Sequence, residues 1–184
     1  MTRPSSDPAT RSRPSPAEPT AFSELYHAHF DFTFRTLRHL GVPAAALPDA
    51  VQEVWLAVHR RLSSFEGRSS HRTWLFSIAL NTARNQKRRQ RRRAADELPE
   101  DIADLGPGPE RMHEGREALA LVQEYLETLD EPRRVLFISQ LIENLSAAES
   151  GELLGIDASA VYHRVRDLRR GFRRWLCERR GELP

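Results

Sequence analysis

Amide and guanidinium side chains occupy exposed positions of one predicted helix in the first half of the sequence. They are Asn81, Arg84, Asn85 and Arg88. Asparagine side chains can form hydrogen bonds with the edges of bases, and arginine side chains can neutralise phosphate groups. The stretch that they occupy therefore indicates nucleic-acid binding rather than catalysis.

The charges of the chain are segregated along the sequence, although the formal net charge is only +2. Residues 68–93 contain no Asp or Glu and end in a run of Lys and Arg, whereas residues 96–110 are acidic and carry several Pro and Gly. Arginines return between Arg164 and Arg180. A basic, acidic, basic order is expected when two separate surfaces face a polyanion.

Catalytic and metal-binding motifs are not found in the sequence. Its histidines never lie three or four residues apart, which is the spacing that places two metal ligands on one helical face. It has no phosphate-binding glycine loop and no nucleophile elbow. We therefore expect no enzymatic activity, no metal and no cofactor. An RNA-processing enzyme, the alternative from another class, lacks a catalytic constellation.

Hydrophobic residues nowhere form a run that approaches the roughly 18 residues needed for a membrane span. The N-terminus also lacks the apolar core of a secretory signal. With a single cysteine, these features predict a soluble protein of the cytoplasm.

Hydrophobic spacing predicts three helices in the first half of the chain, after a Pro- and Ser-rich tail, residues 1–20, that we expect to be disordered. The first helix has an aromatic-rich buried face and stops at Gly41. The second begins at a capping box of Asp49 and Gln52. The third continues into the basic run. The residues predicted to be buried in these three helices are Phe22, Leu25, Tyr26, Phe30, Phe34 and Leu37, then Val51, Val54, Trp55, Val58 and Leu62, then Trp74, Leu75, Ile78 and Ala79.

The second half begins with an acidic segment, residues 94–112, that is typical of a flexible linker. Helical spacing resumes at Leu119, and Pro132 suits the first turn of the next helix. Ser146 and Glu149 then predict a capping box, and Gly155 a turn before a long basic helix. A short helix, a glycine turn and a longer basic helix outline a helix-turn-helix. We therefore predict an all-α protein with helical modules at residues 21–93 and 113–184.

Taken together, these segments resemble the extracytoplasmic-function (ECF) group of the sigma-70 family, over residues 22–176. The motifs that carry the resemblance are LPDAVQEVWL from Leu47, FEGRSSHRTWLFSIALNTARNQKRR from Phe65, and LETLDEPRRVLFISQLIENLSAAESGELLGIDASAVYHRVRDLRR in the second module. The first two match region 2 of the family and the third, more weakly, region 4. The resemblance implies a protein that binds RNA polymerase core and directs initiation at specific promoters.

The resemblance also implies roles for individual residues. Region 2 would contact the β′ clamp helices of the polymerase and read the −10 promoter element, with the loop from Ser63 to His71 as a pocket for a flipped base. Region 4 would read the −35 element and touch the β flap. An anti-sigma factor is a further possible partner. The matching positions are Asp49, Gln52 and Glu53 for polymerase binding, Phe65, Asn81, Arg84, Asn85 and Arg88 for the −10 element, and Ser159, Tyr162, His163, Arg164 and Arg166 for the −35 element.

The second module departs from the family pattern at Ser150 and Gly151, where the family usually has an apolar residue followed by a small one. A glycine inside a helix costs on the order of 1 kcal/mol relative to alanine, and a buried hydroxyl needs a partner. These residues, with Tyr162 at a usually basic position, predict a loosely packed module or an unusual target sequence. The alternative function is a stand-alone helix-turn-helix regulator that uses its first module only for protein contacts.

Overall fold

The computed structural model describes the backbone of residues 19–96 and 113–181 and the side chains of residues 21–92 and 118–181. Every regular element in these ranges is helical, so the predicted all-α class is confirmed for them. The predicted tail and acidic linker lie almost wholly outside the described residues. Described helices extend two residues into the predicted tail and three residues into the predicted linker.

Three long helices form the N-terminal part of the fold: α1 spans Pro19–His39, α2 spans Leu47–Arg61 and α3 spans His71–Asp96. Short 3-10 turns, Ala44–Ala46 and Leu62–Ser64, flank α2. Each of the three helices packs against the other two. Apolar side chains with no exposed area at the centre of this packing are Leu37, Val54, Val58, Leu75 and Phe76.

The aromatic residues of α1 are divided between the core and an open groove, which corrects part of the predicted buried face. Leu25 and Leu37 are buried as predicted, but Phe34 is 36% exposed. Phe32, which the predicted face left out, is buried instead. Phe30 and Phe34 lie one helical turn apart and therefore share a side of α1, and that side borders the groove.

Helix α2 begins before Asp49, so the prediction of a capping box formed by Asp49 and Gln52 is wrong. The N-cap position is Ala46, which has no side-chain acceptor, and Pro48 lies in the first turn. Asp49 and Gln52 therefore lie inside the helix. The physical reason is the preceding 3-10 turn, because its backbone is already helical and leaves no extended N-cap residue from which a capping box could form. The Asp49 carboxylate is still in the first turn, where the helix dipole favours it.

Within residues 113–181, four α-helices form the C-terminal part: α4 spans His113–Thr128, α5 spans Glu131–Leu136, α6 spans Ala147–Leu154 and α7 spans Ala158–Arg180. A π-helical segment, Phe137–Ile142, continues α5. The side chains of this part with the least exposed area include Leu126, Val135, Leu136, Ile138 and Val161.

Helix starts in the C-terminal part follow the sequence closely. Pro132 lies in the first turn of α5, and the Asp130 carboxylate accepts the N–H of Arg133 at 3.0 Å. The capping box of α6 is confirmed, since Ser146 Oγ accepts the N–H of Glu149 at 3.2 Å and Glu149 Oε2 accepts the N–H of Ser146 at 2.8 Å. Gly155, with φ +66°, then ends α6 in the left-handed conformation that glycine adopts at no steric cost. The predicted short helix, glycine turn and long basic helix are therefore present.

The packing of α6 against α7 is tight, so the expected loose packing around Ser150 and Gly151 is not found. The Ser150 hydroxyl is fully buried and accepts a hydrogen bond from Gln140 Nε2 at 2.9 Å. A Cβ atom on Gly151 would lie only 2.5 Å from the carbonyl oxygen of Ile156. Glycine is therefore required by the close approach of the turn, and this contact outweighs its poor helix propensity.

We expect Gly151→Ala to destabilise the protein although alanine is the better helix former. The clash with the Ile156 carbonyl should cost about 1–3 kcal/mol, as overpacking usually does. Urea unfolding followed by circular dichroism measures the change. Glu152→Ala, at the exposed neighbouring position, should stay within roughly 0.5 kcal/mol of the parent. Equal stability of the parent and Gly151→Ala would contradict the close approach.

A second prediction concerns His39 at the end of α1, which is 4% exposed. Burial first, and then the nearby Arg38 and Arg35, lower the pKa of His39 from 6.5 to about 4. On acidification the unfolded chain therefore protonates His39 before the folded chain does. The contribution of neutral, buried His39 to the free energy of unfolding is complete above pH 6.5 and is lost as the pH falls from 6.5 to 4. Its size should be roughly 2–3 kcal/mol.

Thermal or urea unfolding between pH 7 and pH 4 measures this contribution. His39→Gln should flatten the fall in the free energy of unfolding in that range, whereas His163→Gln, at an exposed position of α7, should leave the pH dependence unchanged. The same pH dependence in the parent and in His39→Gln would assign the acid sensitivity to other groups.

Candidate nucleic-acid interface

The predicted base-reading residues form one exposed stripe on α3. Asn81, Arg84, Asn85 and Arg88 are all exposed, and their spacing of three, four and seven residues places them on one face. Ala79 and Ala83, on the opposite face, are buried. Packing against α1 and α2 therefore fixes the side of α3 on which these amide and guanidinium groups lie. The Arg84 guanidinium forms an ion pair with the Glu131 carboxylate of α5 at 2.7 Å.

An aromatic pocket lies next to this stripe, in the loop that was predicted to receive a flipped base. Its volume is about 270 Å³. The ring of Phe65 is half-buried and lies 4.8 Å, centre to centre, from the rings of both His71 and Trp74. Such a stack offers flat apolar surface of the kind on which unpaired bases bind. The residues that line the pocket are Arg61, Ser64, Phe65, Glu66, Arg68, Ser69 and Trp74.

Trp74 borders the candidate site, although its apolar spacing predicted a core position. In the structure it is half-buried and borders both the aromatic pocket and a second cleft of about 300 Å³. Asn81 and Arg84 line that second cleft. The pocket and the exposed stripe of α3 therefore form one continuous track.

The three residues predicted to bind polymerase lie on α2 but do not share one environment. Asp49 and Gln52 are exposed. The Glu53 carboxylate is paired with the Arg89 guanidinium of α3, and Gln86 Nε2 also donates to it at 3.5 Å. Of the three residues, only Asp49 and Gln52 are therefore exposed, while Glu53 joins α2 to the basic end of α3.

An apolar groove of about 690 Å³ lies beside Gln52, between α1 and α2. Leu56, at its edge, is 47% exposed although it is a large hydrophobic residue. The sequence indicated apolar residues here but not that they would remain open to solvent. The groove is lined by Phe22, Tyr26, Phe30, Phe34, Pro48, Val51, Gln52, Trp55, Leu56 and His59.

The residues predicted to read duplex DNA lie on the exposed side of α7. Val161, Val165 and Leu168 are buried on the opposite side of the helix. Tyr162 is 68% exposed, the largest exposure among the large hydrophobic side chains of the described residues. The exposed set consists of Ser159, Tyr162, His163, Arg164 and Arg166. A helix presented in this way can enter the major groove.

None of the described helices has both the length and the apolar composition needed to cross a membrane.

Comparison with known proteins identifies the class of protein to which this arrangement belongs. The family model for sigma-70 region 2 matches residues 25–93. RNA polymerase sigma factor NccH of Alcaligenes xylosoxydans xylosoxydans is 34% identical over 170 residues, which cover 90% of this chain and 91% of that protein. The ECF RNA polymerase sigma-E factor of Escherichia coli is 30% identical over 134 residues, which cover 67% of this chain and 70% of that protein.

A solved structure of CnrH in complex with the cytosolic domain of CnrY has a similar fold, with a TM-score of 0.65 and 28% sequence identity. The match covers 87% of this chain and 90% of CnrH.

The chain therefore belongs to the extracytoplasmic-function sigma factors of the sigma-70 family. It binds RNA polymerase core and promoter DNA and directs promoter-specific transcription initiation, as members of this family do. Sigma factors are initiation factors and not enzymes. The alternative of a stand-alone helix-turn-helix regulator is not favoured.

Proposed function

We propose that the sigma factor divides promoter recognition between two surfaces, with α3 and its preceding loop reading the −10 element and α7 reading the −35 element. The corresponding modules are residues 21–93 and 113–184, joined by the acidic segment 94–112. The observation that carries this proposal is the continuous track from the aromatic pocket to the exposed stripe of α3. We further propose that the protein acts in the cytoplasm, where polymerase meets promoter DNA.

A melted −10 strand suits the track because the strand presents both unpaired bases and phosphates. A base turned out of the strand would stack on Phe65 and Trp74, whose rings are 4.8 Å apart. Neighbouring bases would meet the amides of Asn81 and Asn85, which can pair with base edges. Phosphates would meet Arg84 and Arg88 and then the exposed Arg91 and Arg92 further along α3.

A −35 duplex suits α7 because its exposed side combines hydrogen-bonding and cationic groups. Ser159, Tyr162, His163 and Arg166 share one face, whereas Arg164, although exposed, lies on a different side of the helix. The N-terminal residues of a recognition helix contact base edges in the major groove, and cations further along contact the backbone. The direct packing of α6 on α7 holds the helix at a fixed angle for this contact.

The groove between α1 and α2 is proposed to be part of the polymerase-binding face. Its apolar lining would receive the hydrophobic side of a partner helix, such as a β′ clamp helix, and Asp49 and Gln52 would supply polar contacts at its edge. We propose that an anti-sigma factor uses the same groove. Support for a protein partner comes from CnrH, the structure of which contains the cytosolic domain of CnrY.

Transcription from promoter libraries, with purified protein and sigma-free polymerase core, tests the division of promoter reading. Asn81→Ala or Asn85→Ala should change which −10 sequences are used, since each good base contact contributes about 1–3 kcal/mol of discrimination. Tyr162→Ala and His163→Ala should change only the −35 preference. Arg91→Ala with Arg92→Ala should weaken binding to all sequences and reduce its salt dependence, because phosphate contacts carry little sequence information. A −35 preference that changes with Asn81 would overturn the assignment of surfaces to elements.

A binding assay with polymerase core tests the proposed docking face. Gln52→Ala combined with Leu56→Ala should weaken binding by about tenfold or more, close to 1.4 kcal/mol, without loss of helicity. Asp31→Ala, at an exposed position of α1 outside the groove, is the control and should bind as the parent does. Trp55→Ala should instead lower stability by roughly 3–5 kcal/mol, because Trp55 is buried. Full polymerase binding by the groove variant would place docking elsewhere.

A further inference from the structure

Two cations from different helices approach one another beside the turn that ends α1. The turn is made by Gly41, which has a φ of +84°. A Cβ atom on Gly41 would lie 3.4 Å from Nη1 of Arg134, on α5, and 3.5 Å from Nζ of Lys87, on α3. Both positive groups therefore lie within 3.5 Å of one point, and glycine leaves that point without a side chain.

The Arg134 guanidinium is held in a fixed direction. Its Nε atom donates to the carbonyl of Leu126 at 2.8 Å, and its Nη2 atom donates to the carbonyl of Leu129 at 3.1 Å. These two bonds use one edge of the planar group and leave Nη1 beside the Gly41 turn. A guanidinium fixed in this way can bind an anion with little further loss of side-chain freedom.

The positive charge around this turn is not balanced by carboxylates. Among the described residues, neither Lys87 nor Arg134 forms an ion pair. Burial first, and then the charge of Arg134, lowers the pKa of half-buried Lys87, and Arg91 acts in the same direction. The Glu131 carboxylate opposes this effect, but it is already paired with Arg84 at 2.7 Å. An anion between Lys87 and Arg134 would replace their repulsion with attraction.

Capping of α1 does not explain the position of the two cations. Lysine and arginine side chains often donate to the free carbonyls at the end of a helix. Here the carbonyl of Arg38 accepts the N–H of Gly41 at 2.9 Å, and the carbonyl of Leu37 accepts the N–H of Val42 at 3.1 Å. The backbone of the turn therefore satisfies these carbonyls without either cation.

The cations of α3 near this turn form a row along the helix. Arg84, Lys87 and Arg91 are spaced by three, four and seven residues, which places them on one side of α3. Seven residues of helix span about 10 Å, so the row is longer than a single phosphate group. Ammonium and guanidinium groups both bind phosphate through charge-assisted hydrogen bonds, and several such groups in a row suit an anion with more than one phosphate.

We propose that the junction of α1, α3 and α5 is a binding site for a small oligophosphate, with Lys87 and Arg134 as its central contacts and Arg91 at its edge. The phosphates belong to an inorganic oligophosphate or to a nucleotide. A nucleic-acid strand suits the site less well, because Lys87 and Arg134 are half-buried beside the turn, whereas Arg91 and Arg92 are exposed. The central contacts do not belong to the exposed stripe proposed to read the −10 element.

Isothermal titration calorimetry on the full chain, at constant ionic strength, tests the site with pyrophosphate and tripolyphosphate as probes. The site variant is Lys87→Gln with Arg134→Gln. The matched control is Arg60→Gln with Arg133→Gln, which removes two cations at exposed positions. The control should bind as the parent does, whereas the site variant should bind at least about tenfold more weakly. Equal affinities in the three proteins would assign anion binding to the basic surface in general and would overturn the proposal.

Chemical labelling gives a second measurement that does not depend on the folding of the double variant. Lys87 is the only lysine of the chain, so its acetylation by acetic anhydride is resolved from that of the N-terminal amine by mass spectrometry of peptides. Pyrophosphate should slow the acetylation of Lys87 in the parent, because a bound anion covers the amine and favours its protonated form. Sodium chloride at the same ionic strength should not. Unprotected Lys87 at saturating pyrophosphate would count against the site even if the double variant fails to fold.

The same two measurements distinguish the sources of the phosphates. Tighter binding of a nucleoside triphosphate than of tripolyphosphate would identify a nucleotide as the ligand, whereas equal affinities would show that the phosphates alone are recognised, and either result supports the proposal. Protection of Lys87 by a single-stranded oligonucleotide, but by none of the small phosphates, would assign Lys87 to the promoter backbone and overturn the proposal. Failure of the site in these measurements would leave the assignment of α3 to the −10 element intact, since promoter libraries test that assignment separately.

Discussion

The fold depends on α3 being a core helix along one face and an exposed helix along the other. Its apolar residues, such as Leu75 and Phe76, are fully buried against α1 and α2, and this packing fixes the rotation of the helix about its axis. The direction of Asn81 and Arg88 follows from that rotation, because residues on one helix cannot turn independently. The basic end of α3 extends beyond the core and is steadied by the pairing of Arg89 with Glu53 of α2. The geometry of the proposed promoter-reading face is therefore a consequence of hydrophobic burial.

Local sequence patterns predicted most helices but not every boundary. The capping box at Ser146 and Glu149 was predicted correctly, whereas the same spacing at Asp49 and Gln52 was misleading. The two cases differ in the preceding backbone, which is extended at Ser146 and already helical at Ala46. That difference depends on the backbone conformation at the N-cap residue and not on the residue types within the motif. Patterns of residue types therefore predict that a helix exists more reliably than where it starts.

The exposure of the candidate site residues on single helices could be predicted, while their partners across the fold could not. The exposure of the α3 stripe follows from helical periodicity. The pairing of Glu143 with Arg35 and Arg72 joins residues far apart in sequence, and no local pattern encodes it. No local pattern predicted the hydrogen bond from Gln140 to Ser150 either. This bond satisfies the buried Ser150 hydroxyl, which the sequence alone left without a partner. Trp74 was missed because periodicity cannot distinguish an apolar core residue from one that lines an open pocket.

The contact between the two parts of the fold includes ion pairs and hydrogen bonds between distant residues. An apolar contact of similar extent would gain about 25 cal/mol for each Å² buried and would resist separation in water. Ion pairs and hydrogen bonds are instead exchanged for hydration at little net cost when both partners become exposed. Glu131 of α5 forms an ion pair with Arg84, which is one of the residues proposed to contact the −10 strand. Under the proposed assignment of α3, a promoter phosphate would therefore compete with the Glu131 carboxylate for Arg84.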